Sequence, residues 1–478
     1  MANIRVHFET FGCQMNKLDS ETAAEGLLRA GFEFADGVDD ADVVLFNTCS
    51  VRGHAEERVY SRIGALKCAK QRRPQLVIGV MGCMAQKDGP LIFRRAPLVD
   101  IVCGPRHEAD LAALIAEARS GFRVLALDAG RTARVPGTPL PQDIARNLHV
   151  IDQPACRDAP VGRLGDVPPA GHLEDVPPAR LYANANVRQS PFQAFVAIML
   201  GCNNFCSYCV VPYVRGPEES RPPDDVAAEV ERLAQSGSRE ITLLGQNVDS
   251  YQFGLPHLLR RIHDTPGLDR IRFVTSHPKD VSDDLLATMA ELPKVCRHLH
   301  APAQSGSNSI LHAMNRRYTR EHYLGMIERA RRIVPGIEIA SDFIVGFPGE
   351  TEDDFQQTAD LVRRAEFNQC FIFKYSPRPG TKAAEMPDDV PEAVKKRRNN
   401  ELLAVQGEIS TRRNTQKVGR VMAVLVEGPS KTDACKLSGR TGGNDIAVFA
   451  GPASLVGTIV NVRITGSTPL TLFGEIAA

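Results

Sequence analysis

The chain has no apolar run near the roughly 18 residues that a membrane-crossing helix needs, so no spanning segment is expected. It also has no net charge, with 57 Lys and Arg against 57 Asp and Glu, which argues against a surface given over as a whole to nucleic acid. Met1-Ala2-Asn3-Ile4-Arg5-Val6 shows no charged-then-apolar leader, and export is not expected; the cytoplasm is. What the chain does have is cysteine, 12 in 478 residues. In a reducing compartment such thiols serve metal or redox chemistry rather than a disulfide framework. At roughly 100–200 residues per domain, the length allows two to four domains.

The apolar pattern divides the chain. Runs at Val6–Phe8, Val43–Phe46 and Leu76–Val80, each followed by a helix-like stretch, predict a parallel sheet with helices on its faces over residues 1–120. From 121 to 190 prolines break every possible element and Asp-Val-Pro-Pro-Ala occurs twice, at Asp166–Ala170 and Asp175–Ala179, which reads as a linker. Residues 191–413 alternate again, with strand candidates at Ala194–Met199, Glu240–Leu244, Ile271–Thr275, His298–Ala301, Ile337–Ile344 and Cys370–Tyr375. Six such units fit a partial (β/α)6 barrel, with ligands at the carboxyl ends of the strands. Beyond 414, short alternating runs at Val418–Leu425, Ala447–Phe449, Thr458–Ile464 and Leu470–Gly474, separated by glycine-rich turns, predict a small antiparallel β-barrel. The fold class is therefore α/β with a β-barrel at the end.

Chemistry concentrates in Gly201-Cys202-Asn203-Asn204-Phe205-Cys206-Ser207-Tyr208-Cys209, just after the first strand of the central region. Three thiolates on one loop can hold three irons of a four-iron cluster and leave the fourth open. An open iron can take the amino and carboxylate groups of S-adenosylmethionine, so that an electron passed into the sulfonium releases a 5'-deoxyadenosyl radical. The competing reading is structural zinc, which closes with a fourth Cys or His at short spacing; none is nearby. Cys13, Cys49 and Cys83 form a second constellation, each closely following a strand of the first region. In a parallel sheet those strand ends share one edge, so the three thiols are expected to converge, again without a fourth ligand. For any one of them alone, a buried bystander cysteine is the competing reading.

The CxxxCxxC loop resembles that of the radical S-adenosylmethionine superfamily, whose fold is a partial barrel. The resemblance implies that Tyr208 lies beside the adenine, and that Ile344-Val345-Gly346-Phe347-Pro348-Gly349-Glu350 is the late-strand glycine motif approaching the same ring. Two open clusters in this domain order, followed by a terminal small barrel, resemble the methylthiotransferase family over nearly the whole chain apart from the linker. That resemblance implies an RNA-binding TRAM barrel, two 4Fe-4S clusters, S-adenosylmethionine, a sulfur-carrying role for the cluster on Cys13, Cys49 and Cys83, and a radical role for the one on Cys202, Cys206 and Cys209. Gly12-Cys13-Gln14-Met15-Asn16 resembles the branch that makes 2-methylthio-N6-dimethylallyladenosine beside the tRNA anticodon, not the branches with Pro-Lys or Lys-Val after the first cysteine. Gln304-Ser305-Gly306-Ser307 and Met314-Asn315-Arg316-Arg317-Tyr318-Thr319 also fit the family pattern, while Pro217 stands where a basic residue is common. Expected partners are tRNA carrying N6-dimethylallyladenosine, a reducing donor such as flavodoxin or ferredoxin, and a sulfur or cluster donor, with the chain acting as a monomer. Rival readings are the same chemistry on another tRNA base or a ribosomal protein, and a non-catalytic iron-sulfur RNA-binding protein.

Gln246, Ser276, Gln304 and Asp342 fall at or just beyond predicted strand ends and are candidates for the cofactor's sugar or amino acid part, with turn or cap roles as the alternative. Cys296, His298 and His300 share one strand face, where barrel packing or substrate contact is the favoured reading over a metal. Cys68, Cys103, Cys156, Cys370 and Cys435 lack companions and read as ordinary thiols. Lys395-Lys396-Arg397-Arg398 fits either an RNA-facing or a solvated helix face. Lys417, Arg420, Lys431, Lys436, Arg440 and Arg463 fit a groove that tracks a nucleic-acid backbone, with only Phe449 and Phe473 for stacking. A chain cut after about Arg413 is expected to bind tRNA more weakly and keep cofactor cleavage.

Overall fold

The computed structural model describes residues 4–50, 53–128, 148–151, 188 and 190–477. The repeated Asp-Val-Pro-Pro-Ala segments and Cys156 lie outside them. Two compact units result: Met1–Gln189 with Leu200–Asn203 and Cys209–Glu219, and Ser190–Met199 with Asn204–Tyr208 and Ser220–Ala478.

The first unit is built on a seven-stranded parallel sheet, β1 (Arg5–Phe11), β2 (Glu33–Phe34), β3 (Val43–Thr48), β4 (Val77–Met81), β5 (Ile101–Cys103), β6 (Arg123–Ala126) and β7 (Leu148–Ile151), in the order 2-1-3-4-5-6-7. The central strands β3 and β4 are buried along their whole length, as continuous apolar runs in a parallel sheet covered on both faces must be. Helices Gln14–Arg29 and Leu111–Arg119 contribute to the core on one face, and Gly53–Ala65 and Cys83–Asp88 to that on the other. Strands β6 and β7 fall inside the stretch read as linker. That reading is corrected here: Arg-Val-Leu-Ala is too short a run to stand out beside so many prolines, yet it pairs in register with β5.

The second unit carries six parallel strands in two hydrogen-bonded groups, β8 (Gln193–Ala197), β11 (Glu240–Leu244) and β12 (Arg270–Val274), then β13 (His298–His300), β14 (Glu338–Val345) and β15 (Gln369–Lys374). The seam between groups is bridged by hydrogen bonds from Ile271 N to Lys294 O (2.8 Å) and from Ser276 N to His300 O (3.0 Å), giving a partial (β/α)6 barrel. The short strands β9 (Met199–Leu200) and β10 (Glu219–Ser220) flank the cysteine loop in sequence. Helix starts are fixed locally: Thr351 and Asp354 form a capping box for Glu352–Ala365, each side chain accepting a backbone N–H of the other. Asp354 also accepts hydrogen bonds from Ser307 (2.5 Å) and Ser309 (2.7 Å), which anchors the segment after β13 to helix Glu352–Ala365.

The chain ends in a closed barrel of β16 (Val421–Pro429), β17 (Leu437–Thr441), β18 (Ile446–Phe449), β19 (Ile459–Ser467) and β20 (Thr471–Ile476), in the order 16-17-18-20-19. It is mixed rather than antiparallel, because β18 and β20 pair in parallel. The unexpected strand, β17, reads Leu-Ser-Gly-Arg-Thr and carries one large apolar residue. Gly439 is required there, since a Cβ would lie 2.1 Å from the Leu425 carbonyl oxygen. Among the described residues no helix is long and apolar enough to cross a membrane.

Candidate active site with two cysteine triplets

Strands β1, β3 and β4 are neighbours, and Cys13, Cys49 and Cys83 lie just past their carboxyl ends. The glycines beside them let the loops close. A Cβ on Gly12 would come within 2.4 Å of Asn16 Oδ1 and 2.9 Å of Cys49 Cβ, and one on Gly82, which sits at φ 85°, within 2.3 Å of Asn47 Oδ1. Beneath the thiols two fully buried asparagines lock together. Asn16 Nδ2 donates to Asn47 Oδ1 (3.0 Å), Asn47 Nδ2 donates to Asn16 O (2.8 Å), and Asn16 Oδ1 accepts from the Cys13 backbone N–H (3.3 Å). A hydrogen bond with Cys49 and the charge of Arg215 outweigh burial and lower the Cys13 thiol to about 6. Cys83 is pushed up by burial, opposed by Arg215, whose Nε donates to its Sγ at 3.2 Å. Three thiols from three adjacent strands thus face one another, a donor set that suits a cluster. Among the described residues no three Cys, His, Asp or Glu side chains close up as a single-ion site. A cluster spreads its ligands more widely than one ion does.

In the second triplet the residues sit on one irregular loop. Gly201, at φ 77°, is obligatory, since a Cβ would lie 1.8 Å from the Pro217 carbonyl oxygen; Cys202 N donates to Gly216 O at 3.0 Å. Cys206 is buried and Cys202 and Cys209 are half-buried. The Cys206 part of the loop is held by the segment after helix Asn308–Ala313. Ser207 N donates to Met314 O (3.0 Å), Asn315 Nδ2 to Phe205 O (2.9 Å), and the buried Arg316 reaches Cys206 Sγ and Tyr208 Oη, both at 3.4 Å, and Pro302 O at 2.7 Å. Tyr208 packs against Ile310, Met314, Phe347 and Tyr375. Arg316 was legible only as part of a family-like run; its placement on a cysteine is a product of the fold.

Of the remaining candidates, Ser276, Asp342 and Gln304 are linked through His300, since Ser276 N donates to His300 O at 3.0 Å. Gln246 and Ser276 lie at the ends of β11 and β12, where Ser276 Oγ donates to Asp249 Oδ1 (3.1 Å). Burial pushes Asp249 up to about 8, partly offset by that bond, and its Oδ2 and the Gln246 Oε1 are both buried without a hydrogen-bond partner. Asp249 is the acid that sequence patterning passed over, since only burial marks it. Gln304, at φ 69°, hydrogen bonds through its backbone to Asp342 O (2.8 Å) and Ile344 N (2.9 Å). Asp342 Oδ1 pairs with His300 Nε2 at 3.0 Å, and His300 meets the edge of Phe371. Gly346, at φ 70°, donates its N–H to Glu350 Oε2 (2.6 Å), and the room beside it is filled by the Lys395 stem. Cys296 and His298 are buried packing residues, His298 being held neutral with its pKa lowered to about 3 by burial and Arg272.

Two sets of basic residues are corrected. Lys395 and Arg398 are buried in ion pairs with Asp388 and Glu350 and are not open to phosphates, whereas Lys396 and Arg397 are exposed on the helix face, Arg397 pairing there with Glu352 and Glu401. Lys417 is buried between Glu338 and Asp445, and Phe449 is a core residue of the small barrel. Arg420, Lys431, Lys436 and Arg463 are exposed, and Phe473 is 39% exposed.

Family models match at three places: "Radical SAM superfamily" at residues 196–362, "Uncharacterized protein family UPF0004" at 5–104, and "TRAM domain" at 415–477. The tRNA-2-methylthio-N(6)-dimethylallyladenosine synthase of Thermoanaerobacter sp. (strain X514) is 43% identical, the alignment covering 99% of this chain and 93% of that one. The enzyme of the same name from Syntrophomonas wolfei is 44% identical over 98% and 96%. Among solved structures the radical S-adenosylmethionine methyltransferase TsrM of Kitasatospora setae matches at TM-score 0.52 and 17% identity, covering 80% of this chain and 75% of that one, a likeness of fold alone. With that identity along nearly its whole length, the chain belongs to the radical S-adenosylmethionine methylthiotransferases, in the family of the tRNA-2-methylthio-N6-dimethylallyladenosine synthases.

Proposed function

We propose that this chain inserts sulfur at C2 of N6-dimethylallyladenosine at position 37 of tRNA and methylates it, the activity named for its relatives. Its cofactors are two 4Fe-4S clusters and S-adenosylmethionine. We assign Cys202, Cys206 and Cys209 to the radical cluster and Cys13, Cys49 and Cys83 to the sulfur-side cluster. When bound, these groups supply the hydrogen-abstracting radical and the sulfur. The observation that carries the reading is the meeting of Cys13, Cys49 and Cys83 from three neighbouring strands, a second three-thiol set apart from the radical loop that can hold a cluster with an open iron for sulfur.

The chain's own groups do the rest. Arg316 fixes Cys206 and Tyr208, and the unsatisfied Gln246 and Asp249 oxygens, with Ser276, offer polar atoms to the cofactor at the strand ends. Cys370 and Ile372 pack into the main core, so Phe371 and Phe373, both exposed, stand on the opposite, inner face of β15 beside His300 and Asp342. An aromatic pair there suits a purine with a branched apolar tail. Exposed Arg420, Lys431, Lys436 and Arg463 suit the tRNA backbone. A low-potential donor such as flavodoxin or ferredoxin, a sulfur or cluster donor, a cytoplasmic setting and a monomeric chain complete the proposal.

Anaerobic incubation of the reconstituted protein with dithionite, S-adenosylmethionine and tRNA bearing N6-dimethylallyladenosine tests it by nucleoside analysis. The methylthiolated nucleoside and 5'-deoxyadenosine are both expected. 5'-Deoxyadenosine without the modified base would overturn the reading.

A further inference from the structure

The segment that follows the radical loop does more than close it. Val210 and Val214 pack against Cys83, and Arg215, at the end of the short helix Val211–Val214, sends a buried guanidinium to the same residue. Nε donates to Cys83 Sγ at 3.2 Å, while Nη1 and Nη2 hold Asp19 at 3.3 and 2.5 Å. Asp19 lies on helix Gln14–Arg29, whose N-cap is Cys13. The adjoining residue, Gly216, accepts the hydrogen bond of Cys202 N. One arm therefore positions a cation on a ligand of one triplet and a carbonyl on a residue of the other.

Resting on the two-cluster reading above, we propose that Arg215 is a positioning residue that tunes the sulfur-side cluster, its N–H bond to Cys83 favouring the reduced, more negative state, with Asp19 aiming the guanidinium and moderating its charge. Hydrogen bonds to ligand sulfur and local net charge are principal determinants of cluster potential. The buried pair adds little to stability by itself, because desolvating both ions offsets their attraction. A fixed direction for Nε is what the fork geometry does provide.

The test uses the full-length chain with Cys202, Cys206 and Cys209 replaced by Ala, so that only the sulfur-side cluster is reconstituted, and follows its reduction by EPR at controlled potential. Arg215→Gln is expected to lower the reduced-to-oxidised ratio at fixed potential about tenfold, equivalent to about 59 mV for one electron. Arg215→Lys should fall between it and the parent, and Asp19→Asn, which leaves the cation without its counter-charge, should move the ratio upward. Retained iron with an unchanged ratio in Arg215→Gln, or shifts of the same sign in Arg215→Gln and Asp19→Asn, would overturn the proposal. If Arg215→Gln fails to keep iron, the sign of the Asp19→Asn shift decides. A parent that binds no cluster would instead count against the two-cluster reading itself.

Discussion

The two cysteine triplets bring three thiols together in opposite ways. Cys202, Cys206 and Cys209 sit within eight residues of chain, their spacing set by one loop, and the fold needs only to brace it, through Ser207, Asn315 and Arg316. Cys13, Cys49 and Cys83 are spread over three strands, so the sheet itself sets their spacing and the Asn16–Asn47 pair locks the loops to it. In both, a buried arginine touches a cysteine: Arg316 on Cys206 at 3.4 Å and Arg215 on Cys83 at 3.2 Å. A local loop can be rebuilt by its own sequence, whereas the dispersed site stands or falls with the domain.

The sharpest way to break this comparison is to remove each set whole. Replacing Cys202, Cys206 and Cys209 by Ala should abolish 5'-deoxyadenosine formation and methylthiolation together. The same change at Cys13, Cys49 and Cys83 should abolish methylthiolation, remove about half the iron, and leave 5'-deoxyadenosine formation in place. Loss of cofactor cleavage in that second variant would show that the sites are not separable.

A smaller change probes the dispersed site's dependence on its scaffold. Asn47→Ala strands the Asn16 amide and carbonyl in a buried setting, at a cost of about 1–3 kcal/mol. Chemical denaturation should register that loss, and iron analysis should find the deficit on the sulfur side alone. An equal deficit at both clusters would erase the distinction.

The smallest effect sharpens an electrostatic contrast, in which burial raises Asp249 to about 8 at the radical barrel while its surroundings lower Cys13 to about 6. For Asp249 the folded pKa lies above the unfolded one. Its contribution is therefore full below about pH 4, declines as pH rises, and is lost above about 8. Asp249→Asn mimics the protonated acid and should raise Tm at pH 8 by a few degrees, at roughly 2–4 °C per kcal/mol, with the gain fading toward pH 4. A gain that is constant with pH would mean that Asp249 is not the titrating group.

Much of this was legible in the sequence because the chemistry repeats. A cysteine after each of three strands, and three on one loop, stand out against any background. The partners were not legible: Arg215 lies 196 residues from Asp19 and Arg316 lies 110 from Cys206, and no local pattern announces a contact made across that distance. The same blindness turned Lys395, Arg398 and Lys417 into RNA candidates, since a buried lysine and an exposed one look alike until Asp388, Glu350 and Asp445 fold against them. Strand β6 was hidden by neighbouring prolines and β17 by its lack of bulk.

Arg270 and Arg272, at the start of β12, donate to the carbonyl oxygens of Ala423 (2.7 Å), Arg440 (2.8 Å) and Thr441 (2.6 Å) in the small barrel, and Lys417 joins Glu338 at the start of β14. Cutting the chain after Arg413 would remove the carbonyl partners of buried Arg270 and Arg272 and the Lys417 partner of Glu338, so truncation is a test of folding before it is a test of RNA affinity. The TRAM barrel is also seated where the strands begin, whereas the cysteine loop follows a strand end. Along the eight residues of β14 that is a separation of roughly 23 Å at about 3.3 Å per residue, so in the proposed function a tRNA held at the small barrel would have to reach along the flank before its base entered the other end. The junction between the small barrel and the strand starts acts as a ruler, set by buried guanidinium contacts rather than by a tether.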